Sequence, residues 1–557
     1  MADFPAQGNE IQVLRFLEQI DGEAEATKRE PAKTWDENMR QWRGDQWRLQ
    51  RSPYFLANII KNQGRRKVAL LTESKPQIQV RAREPGLEKA SGVVYNAIRS
   101  IWDRSSMQEA VYRVSQFGMT VGSAFFGIEY DPLQDEIEVS FVDPRRVYLD
   151  PAVTSPAELQ KAQYLRVDTT LSLAEIRERF PGRGMLVKPD DRLSGYTESR
   201  TGRTGIIASV LSAMPRPYRP GTPTKTGPIP RAEIRQYYLR DPSPNSEGGR
   251  LFPGGRRVFR AGNVILLDER NPYWDGEWPL EMFSWDLDFE SPWGLDEIQD
   301  IRRLQEAINR MGDAWVKNSI LGSNFKIIAD LDALDPDEWG KVDNEAGLVI
   351  RKKPQRQFEY VPPTTPSEQT PAAIEGLIRL CDLLTGNSDA QSGPGQRASA
   401  MEGLQSARQS LIRDVSRRLE SALERVGQKL IARIFQFYTS DRILFQQGPS
   451  REWLAYTFKR QELVEDDEGR KIPLEKQQRM FRDFRFLVTP GSSLATTRVQ
   501  RTLAALQLRT ATGVAPSIRR ILQEADLGDP DTLIQEGLEE LSKLPQPPPP
   551  KGRGSRQ

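Results

Sequence analysis

Apolar residues recur along this chain in two rhythms, one near 3.6 and one of two. Ile11, Leu14, Leu17 and Ile20 are in step for a helix, which predicts helical structure over 9–50. Trp35, Trp42 and Trp47 lie in the second part of that stretch, and 54–74 predicts another helix. Ile78 and Val80 alternate after Pro76, as a strand over 77–83 would require. Val93, Val94, Ala97, Ile98, Ile101 and Trp102 share one side of a predicted helix over 87–117. Gly118 and Gly122 follow, and the period switches to two over 123–130 and 136–142, with Asp131-Pro132 as the turn. Asp143-Pro144 and Asp150-Pro151 read as turns, because proline pushes the preceding residue out of the helical well. Strand-like runs resume at 232–239, 257–259, 264–267 and 280–285.

The texture then changes. Leu295, Ile298, Ile301, Leu304, Ile308, Met311 and Trp315 form a helical stripe over 292–321. Its flanks are charged: Asp296, Glu297, Asp300, Arg302, Arg303, Glu306, Arg310, Asp313 and Lys317. Pro292 suits a helix start, with acids in the first turns. Residues 324–363 read as a compact α/β insert, with strands at 325–329 and 347–350 and a short helix from Asp335-Pro336-Asp337-Glu338-Trp339. A second helix is predicted over 371–384 and a glycine-bearing loop over 385–399. The longest helix, 400–439, carries the stripe Leu404, Leu411, Val415, Leu419, Leu423, Val426, Leu430, Ile434 and Phe437. At ~1.5 Å per residue it spans roughly 60 Å. Strand-bearing structure returns over 441–488, and Pro490-Gly491-Ser492-Ser493 turns into a helical block, 496–544. Segment 188–230 is rich in Pro, Gly, Ser, Thr and Arg and reads as a mobile insertion. Residues 545–557, with Pro547 to Pro550 in a row, read as an extended tail.

Composition narrows the chemistry. The 557 residues include no histidine and one cysteine. Ser–His–Asp and Cys–His nucleophiles are therefore excluded, as are an imidazole base and internal disulfides. No zinc ribbon is possible. Cys381 sits in an apolar helical stretch and reads as a packed thiol. Lysine and arginine number 79 against 77 acids, for a net charge of +2. A chain that grips nucleic acid tightly usually carries a clear basic excess. No run approaches the ~18 apolar residues of a membrane span, and no signal-peptide pattern opens the chain. A soluble protein made in a reducing compartment is expected.

The familiar motifs are missing. Gly340-Lys341 is followed by Val342 and lacks the upstream glycine of a phosphate loop. Arg43-Gly44-Asp45 and Lys225-Thr226-Gly227 match short signatures by letters alone. Asp190-Asp191 and Asp466-Asp467 read as solvated turns rather than metal sites. No catalytic residue, metal or cofactor is expected.

The order of segments resembles a tailed-bacteriophage portal protein, the head-to-tail connector, over about residues 30–545. Trp42-Arg43-Gly44-Asp45-Gln46-Trp47, then Asn58-Ile59-Ile60 and Lys75-Pro76, are similar to the start of the family's wing. Gly118 and Gly122 before a strand pair, then Val142-Asp143-Pro144 and Asp150-Pro151, resemble its next part. Pro292-Trp293-Gly294 resembles the opening of the first stem helix, and Pro490-Gly491-Ser492-Ser493 the entry to the C-terminal helices.

The resemblance implies an α+β, mainly helical chain with portal-type wing, stem, clip and crown, assembled as a ring of twelve subunits. It implies a wing over 1–287, a first stem helix over 292–323, a clip over 324–365 and a second stem helix over 366–384. A tunnel loop over 385–399, a spine helix over 400–440, a wing return over 441–490 and a crown over 491–544 follow. Double-stranded DNA would pass through the channel without sequence preference during packaging and ejection. The terminase large subunit, then head–tail adaptor or tail proteins, would dock on the clip; major capsid and scaffolding proteins would surround the ring. The place implied is one capsid vertex of the virion, after assembly in the bacterial host cytoplasm. No membrane is involved.

Candidate residues follow from that architecture. Thr385, Asn387, Gln391, Gln396, Arg397 and Ser399 are expected to face DNA in the tunnel loop. Asp335, Asp337, Glu338, Trp339, Lys341, Arg351, Lys352 and Lys353 are expected to dock partners. Asp300, Arg303, Glu306, Arg310, Asp313 and Lys317 are expected to pair between subunits or to line the channel. Near-zero net charge suits a conduit, because many fixed phosphate contacts would hold the DNA. By periodicity alone the long helices describe an ordinary bundle core. Two other classes stay open at this point: a different structural or scaffold virion protein built on a long helix, and a carboxylate metal-dependent nuclease.

Overall fold

In a computed structural model, the described residues are 4–46, 55–73, 75–132, 134–190, 229–245, 249–323, 326–330, 332–336, 353–361, 369–385, 398–447 and 453–489. They form a mixed helical and sheet structure. In chain order come α1 (Glu10–Arg43), α2 (Ile59–Thr72), β1 (Ile78–Ala82), α3 (Glu88–Arg104), α4 (Met107–Val121), β2 (Ser123–Asp131) and β3 (Glu136–Val142). Then follow β4 (Val147–Leu149), β5 (Tyr164–Ser172), α5 (Leu173–Arg179), β6 (Arg231–Leu239), β7 (Arg256–Ala261), β8 (Val264–Arg270) and β9 (Leu280–Ser284). The remaining named elements are α6 (Ile298–Ser323), β10 (Lys326–Ala329), β11 (Phe358–Val361), α7 (Gln369–Leu384), α8 (Ala398–Phe437), β12 (Arg442–Gln447), β13 (Trp453–Phe458) and β14 (Phe484–Val488). Most of the 188–230 insertion, the strand expected at 347–350, the helical block 496–544 and the proline tail lie outside the described residues.

The chain divides into two compact units. The first comprises Met1–Lys33, Val68–Leu295 and Arg413–Gln557; the second comprises Thr34–Lys67 and Asp296–Ile412.

In the first unit, β4 to β8 form an antiparallel meander in sequence order. Val13, Leu17, Ile20 and Ala24 of α1 pack on Tyr164, Tyr237, Leu239, Val258 and Ile265 of that sheet. Ile11, expected on the same stripe, is 67% exposed. Asp21 is buried in the middle of this contact. Its carboxylate accepts from Arg166 Nη1 at 2.8 Å, Arg235 Nη1 at 2.7 Å, Tyr237 Oη at 2.8 Å and Arg260. Removing one partner from a buried ion pair typically costs ~3–5 kcal/mol, so this acid fixes the seating of α1. The strand β5 and helix α5 follow a turn region that the hydrophobic pattern left unassigned. Ser172 and Glu175 form a reciprocal capping box at the start of α5, a signal present in the sequence.

The predicted helix over 87–117 is two helices. The chain breaks at Ser105-Ser106, where Ser106 adopts φ +49°. The Ser105 hydroxyl accepts from Val139 N at 3.3 Å, a side-chain bond of the kind that competes with helix continuation. The acidic pair Asp466-Asp467 is a turn, as expected, and also a cap. Asp467 accepts from the backbone amides of Glu88 and Lys89 at 3.1 and 3.0 Å, at the start of α3.

A second sheet has the order β3-β2-β9. Residues 123–128 of β2 are buried in succession, with α4 against the sheet. The C-terminal half of α8 is buried on nearly every side. A row of donors ties it to the segment around β9. Arg425 Nε meets Glu281 at 2.9 Å and its Nη2 meets Met282 O at 2.7 Å. Lys429 lies 3.2 Å from Glu281 and from Glu277, and Arg433 lies 2.6 Å from Asp275. The Arg433 guanidinium also stacks 3.5 Å from the centre of the Tyr273 ring. On another side, Gly427 lets the Phe486 ring of β14 approach; a Cβ there would lie 2.2 Å from ring carbons.

Lys28 is 4% exposed, and its ammonium group donates to Arg145 O and Val147 O, both at 2.6 Å. Burial, the largest influence, pushes its pKa down to about 7. In a chain without histidine this lysine titrates near neutrality. The unfolded chain then binds more protons than the fold between pH ~7 and ~10.5, so stability rises with pH across that window. The stability difference between wild type and Lys28→Met, measured by urea unfolding, should grow with pH above 7 by up to ~1.4 kcal/mol per unit. A difference independent of pH from 6 to 9 would contradict it.

Candidate functional site

The second unit holds most of the residues expected to act. Its base is a polar joint under the start of α2. Gln305 of α6 is 1% exposed and reaches across to the chain before α2. Its Oε1 accepts from Ile59 N at 2.8 Å and Ile60 N at 3.2 Å, and its Nε2 donates to Ala57 O at 2.6 Å. One amide side chain thus satisfies helix-start donors that have no partner inside the helix. Asn309, one turn on, accepts from Ala57 N at 3.3 Å and from Gln305 Nε2 at 3.1 Å, and donates to Gln46. Around this joint, Ile60, Ile298 and Ile301 form an apolar cluster with Trp42. Lys67 and Glu297 pair with about a tenth of each side chain exposed, and Arg302 lies 3.5 Å from Glu37. Gly312 faces the Phe55 ring, where a Cβ would come within 2.2 Å of a ring carbon.

Helix α7 lies along α6. Cys381 is buried in α7 as a free thiol, as expected, and burial pushes its pKa up to about 11. Strands β10 and β11 form an antiparallel pair joining Lys326↔Val361 through Ala329↔Phe358.

The first stem helix was expected to open at Pro292-Trp293-Gly294. It begins only at Ile298. Gly294 instead has φ +65°, and Leu295 N bonds Asp286 O at 3.0 Å. These residues serve the first unit. A Cβ on Gly122 would meet Gly294 O at 2.5 Å and Trp293 O at 2.8 Å, and the Ser123 hydroxyl donates to Trp293 O. Two glycine motifs far apart in sequence thus form one close backbone contact that excludes side chains from both.

The expected stem charges separate. Asp300, Arg303, Arg310 and Lys317 are exposed, Glu306 is half-buried, and Asp313 is buried at 8% exposure. Arg303, Arg310 and Lys317 make no ion pair among the described residues. Of the expected clip, Asp335 is exposed and pairs with Lys353 at 3.0 Å. Asp332 pairs in the same way with Arg356 at 2.6 Å. Asp337, Glu338, Trp339, Lys341, Arg351 and Lys352 lie outside the described residues. Thr385, expected in the tunnel loop, is 2% exposed. It closes α7 by donating from Oγ1 to Cys381 O at 2.8 Å, so it is a helix end rather than a DNA-facing loop residue. Ser399 falls inside α8, which starts at Ala398, and Asn387, Gln391, Gln396 and Arg397 lie outside the described residues. The joint at Gln305 and Asn309 gave no periodic signal, since polar residues on a buried helix face look like gaps in the stripe.

Against this geometry, the family model of phage P22-like portal proteins matches residues 23–241. The match supports a phage portal protein. It agrees with the resemblance carried by the tryptophan, glycine and Asp-Pro motifs of that stretch. Portal proteins are structural components of the phage capsid. Among the described residues, no three metal-ligating side chains cluster and no helix is long and apolar enough to cross a membrane. No curated protein matches the chain.

Gln305→Ala should leave the Ile60 amide without its acceptor and the Ile59 amide with Ala57 O alone. A loss of ~1–3 kcal/mol in unfolding free energy is expected. Equal stability of wild type and Gln305→Ala in chemical denaturation would contradict the joint.

Proposed function

We propose that the chain forms the ring-shaped portal at one capsid vertex, through which double-stranded DNA enters during packaging and leaves during ejection. The observation that carries this reading is the portal family match over 23–241, with the helix–strand pair–helix–long helix order that follows it. In this reading α6 and α7 are the stem, 324–365 is the clip, 386–397 is the tunnel loop and α8 is the spine. Residues 441–490 return to the wing, and 491–544 form the crown. Twelve subunits close the ring.

The physical chemistry supports a conduit. Near-zero net charge limits the number of fixed phosphate contacts, which would otherwise hold DNA in a salt-dependent grip. The chain has no phosphate-loop motif, so the work of translocation falls to a docked partner ATPase, the terminase large subunit. Mixed charge at the clip, with the Asp335–Lys353 pair at its described edge, suits successive docking of terminase and then of adaptor or tail proteins. Capsid and scaffolding proteins surround the wing. The protein is a virion component, assembled in the host cytoplasm, and acts without catalysis.

Deleting 387–396 should leave ring assembly intact and reduce DNA retention in filled heads, read as encapsidated genome per particle. Lys352→Glu with Lys353→Glu should weaken terminase binding and lower packaging. Packaging, retention and terminase binding equal to wild type in both variants would overturn the assignment of loop and clip.

A further inference from the structure

The ribbon of β12 and β13 is apolar on both faces. One face belongs to the core. Leu444 and Phe458 are buried there, Phe458 meets the Tyr438 ring edge-on at 5.5 Å, and the ribbon lies along α3. The register sets Ile443 opposite Thr457 and Phe445 opposite Ala455. With a side-chain period of two, these four residues and Trp453 share the other face. Ile443, Phe445 and Trp453 are 63%, 54% and 60% exposed, and Ala455 and Thr457 are exposed beside them.

Other strands of the same unit behave differently. β3 turns Ile137 and Val139 inward and leaves Glu138 and Ser140 outside, and β14 leaves Arg485 outside. That is the alternation of an antiparallel sheet with one wet face. β12 and β13 break it with three large side chains, on the order of 300 Å² of apolar surface, a size at which a patch marks an interaction site.

The chain that follows β14 carries a matching surface. Ala495, Val499, Leu503 and Leu506 are spaced four, four and three residues apart, as one stripe of a helix. Arg498, Arg501 and Arg509 fall off that stripe, and no acid occurs from 490 to 523. As a helix the stripe is ~17 Å long, and a strand of this length is ~17–20 Å. The reach fits too. Val488 N bonds Glu424 Oε1 of α8 at 3.1 Å, and from there α8 runs on for ~20 Å to Phe437, just before the ribbon. The stretch from Thr489 to Ala495 reaches ~20 Å when extended.

We infer that residues 495–506 pack as an amphipathic helix across the outward face of the β12–β13 ribbon of the same chain. Entry from the α8 end sets Val499 over Ile443, Leu503 over Phe445 and Ala455, and Leu506 toward Trp453. The ribbon becomes the middle layer between α3 and this helix, and the arginines stay in water. In the portal reading the contact anchors the C-terminal block to the wing; the contact itself does not depend on a ring.

Full-length chains carrying Cys381→Ala, Ala455→Cys and either Leu503→Cys or Arg501→Cys test it by oxidation. The Leu503→Cys pair should form a thiol-reversible link within one chain, read as faster migration of the monomer and as a linked peptide pair by mass spectrometry. The Arg501→Cys pair should link far less. In a chain with Cys381→Ala and Ala455→Cys alone, maleimide labelling should be slow relative to the urea-unfolded chain. It should become roughly tenfold faster when Leu503→Glu and Leu506→Glu are added. Links that join two chains would assign the face to a second copy and overturn the inference. Absent or equal linking of the two pairs, native labelling at the unfolded rate, or protection that the glutamates leave unchanged would also overturn it. None of these results bears on the ring.

Discussion

A helix with apolar residues on two sides is the constraint that shapes the second unit. Each buried apolar Å² is worth ~25 cal/mol, and a helix with two apolar sides has to find two neighbours. In α7 one side is covered by α6, and the other presents Leu380, Leu383 and Leu384 outward.

The rest of the fold shows how this chain handles the opposite problem, charge inside a core. Asp21, Arg166, Lys429 and Arg433 are almost fully buried, and each is placed against a partner of opposite charge. Such pairs add little net stability over apolar substitutes, but they penalise any other seating of α1 or α8 strongly. For long helices whose apolar stripes can slide by a turn, this selection of register is the useful property. Gln305 does the same at smaller scale, tying α6 to the first turn of α2.

Much of the element order was legible because burial follows period. The β2–β3 hairpin, the α3 stripe, α7 and α8 follow from their apolar spacing, and the packed thiol of Cys381 from its setting. The failures have physical causes. Ile11 fits a helical stripe by spacing, but the sheet contact runs through Val13 and Leu17. Trp293-Gly294 looks like a helix opening, whereas its role is a backbone contact with Gly122. Nothing in the sequence marks Lys429 and Arg433 as buried, because the acids that pair with them are far away in it. Thr385 reads as loop, because a hydroxyl that closes a helix on its own backbone has the same local signature as one that leaves it. The charges of α6 were legible as a set, and only the structure separates buried Asp313 from the outward Arg303, Arg310 and Lys317.

In a chain without histidine, Lys28 is a group that burial brings to a pKa of about 7. The central claim is that many copies close around a channel. Single-particle electron microscopy of the purified full-length protein, with its assembly partners present during expression, tests that claim most directly. The account predicts closed rings with a central opening wide enough for double-stranded DNA. A homogeneous population of monomers or two-fold dimers under those conditions would contradict it.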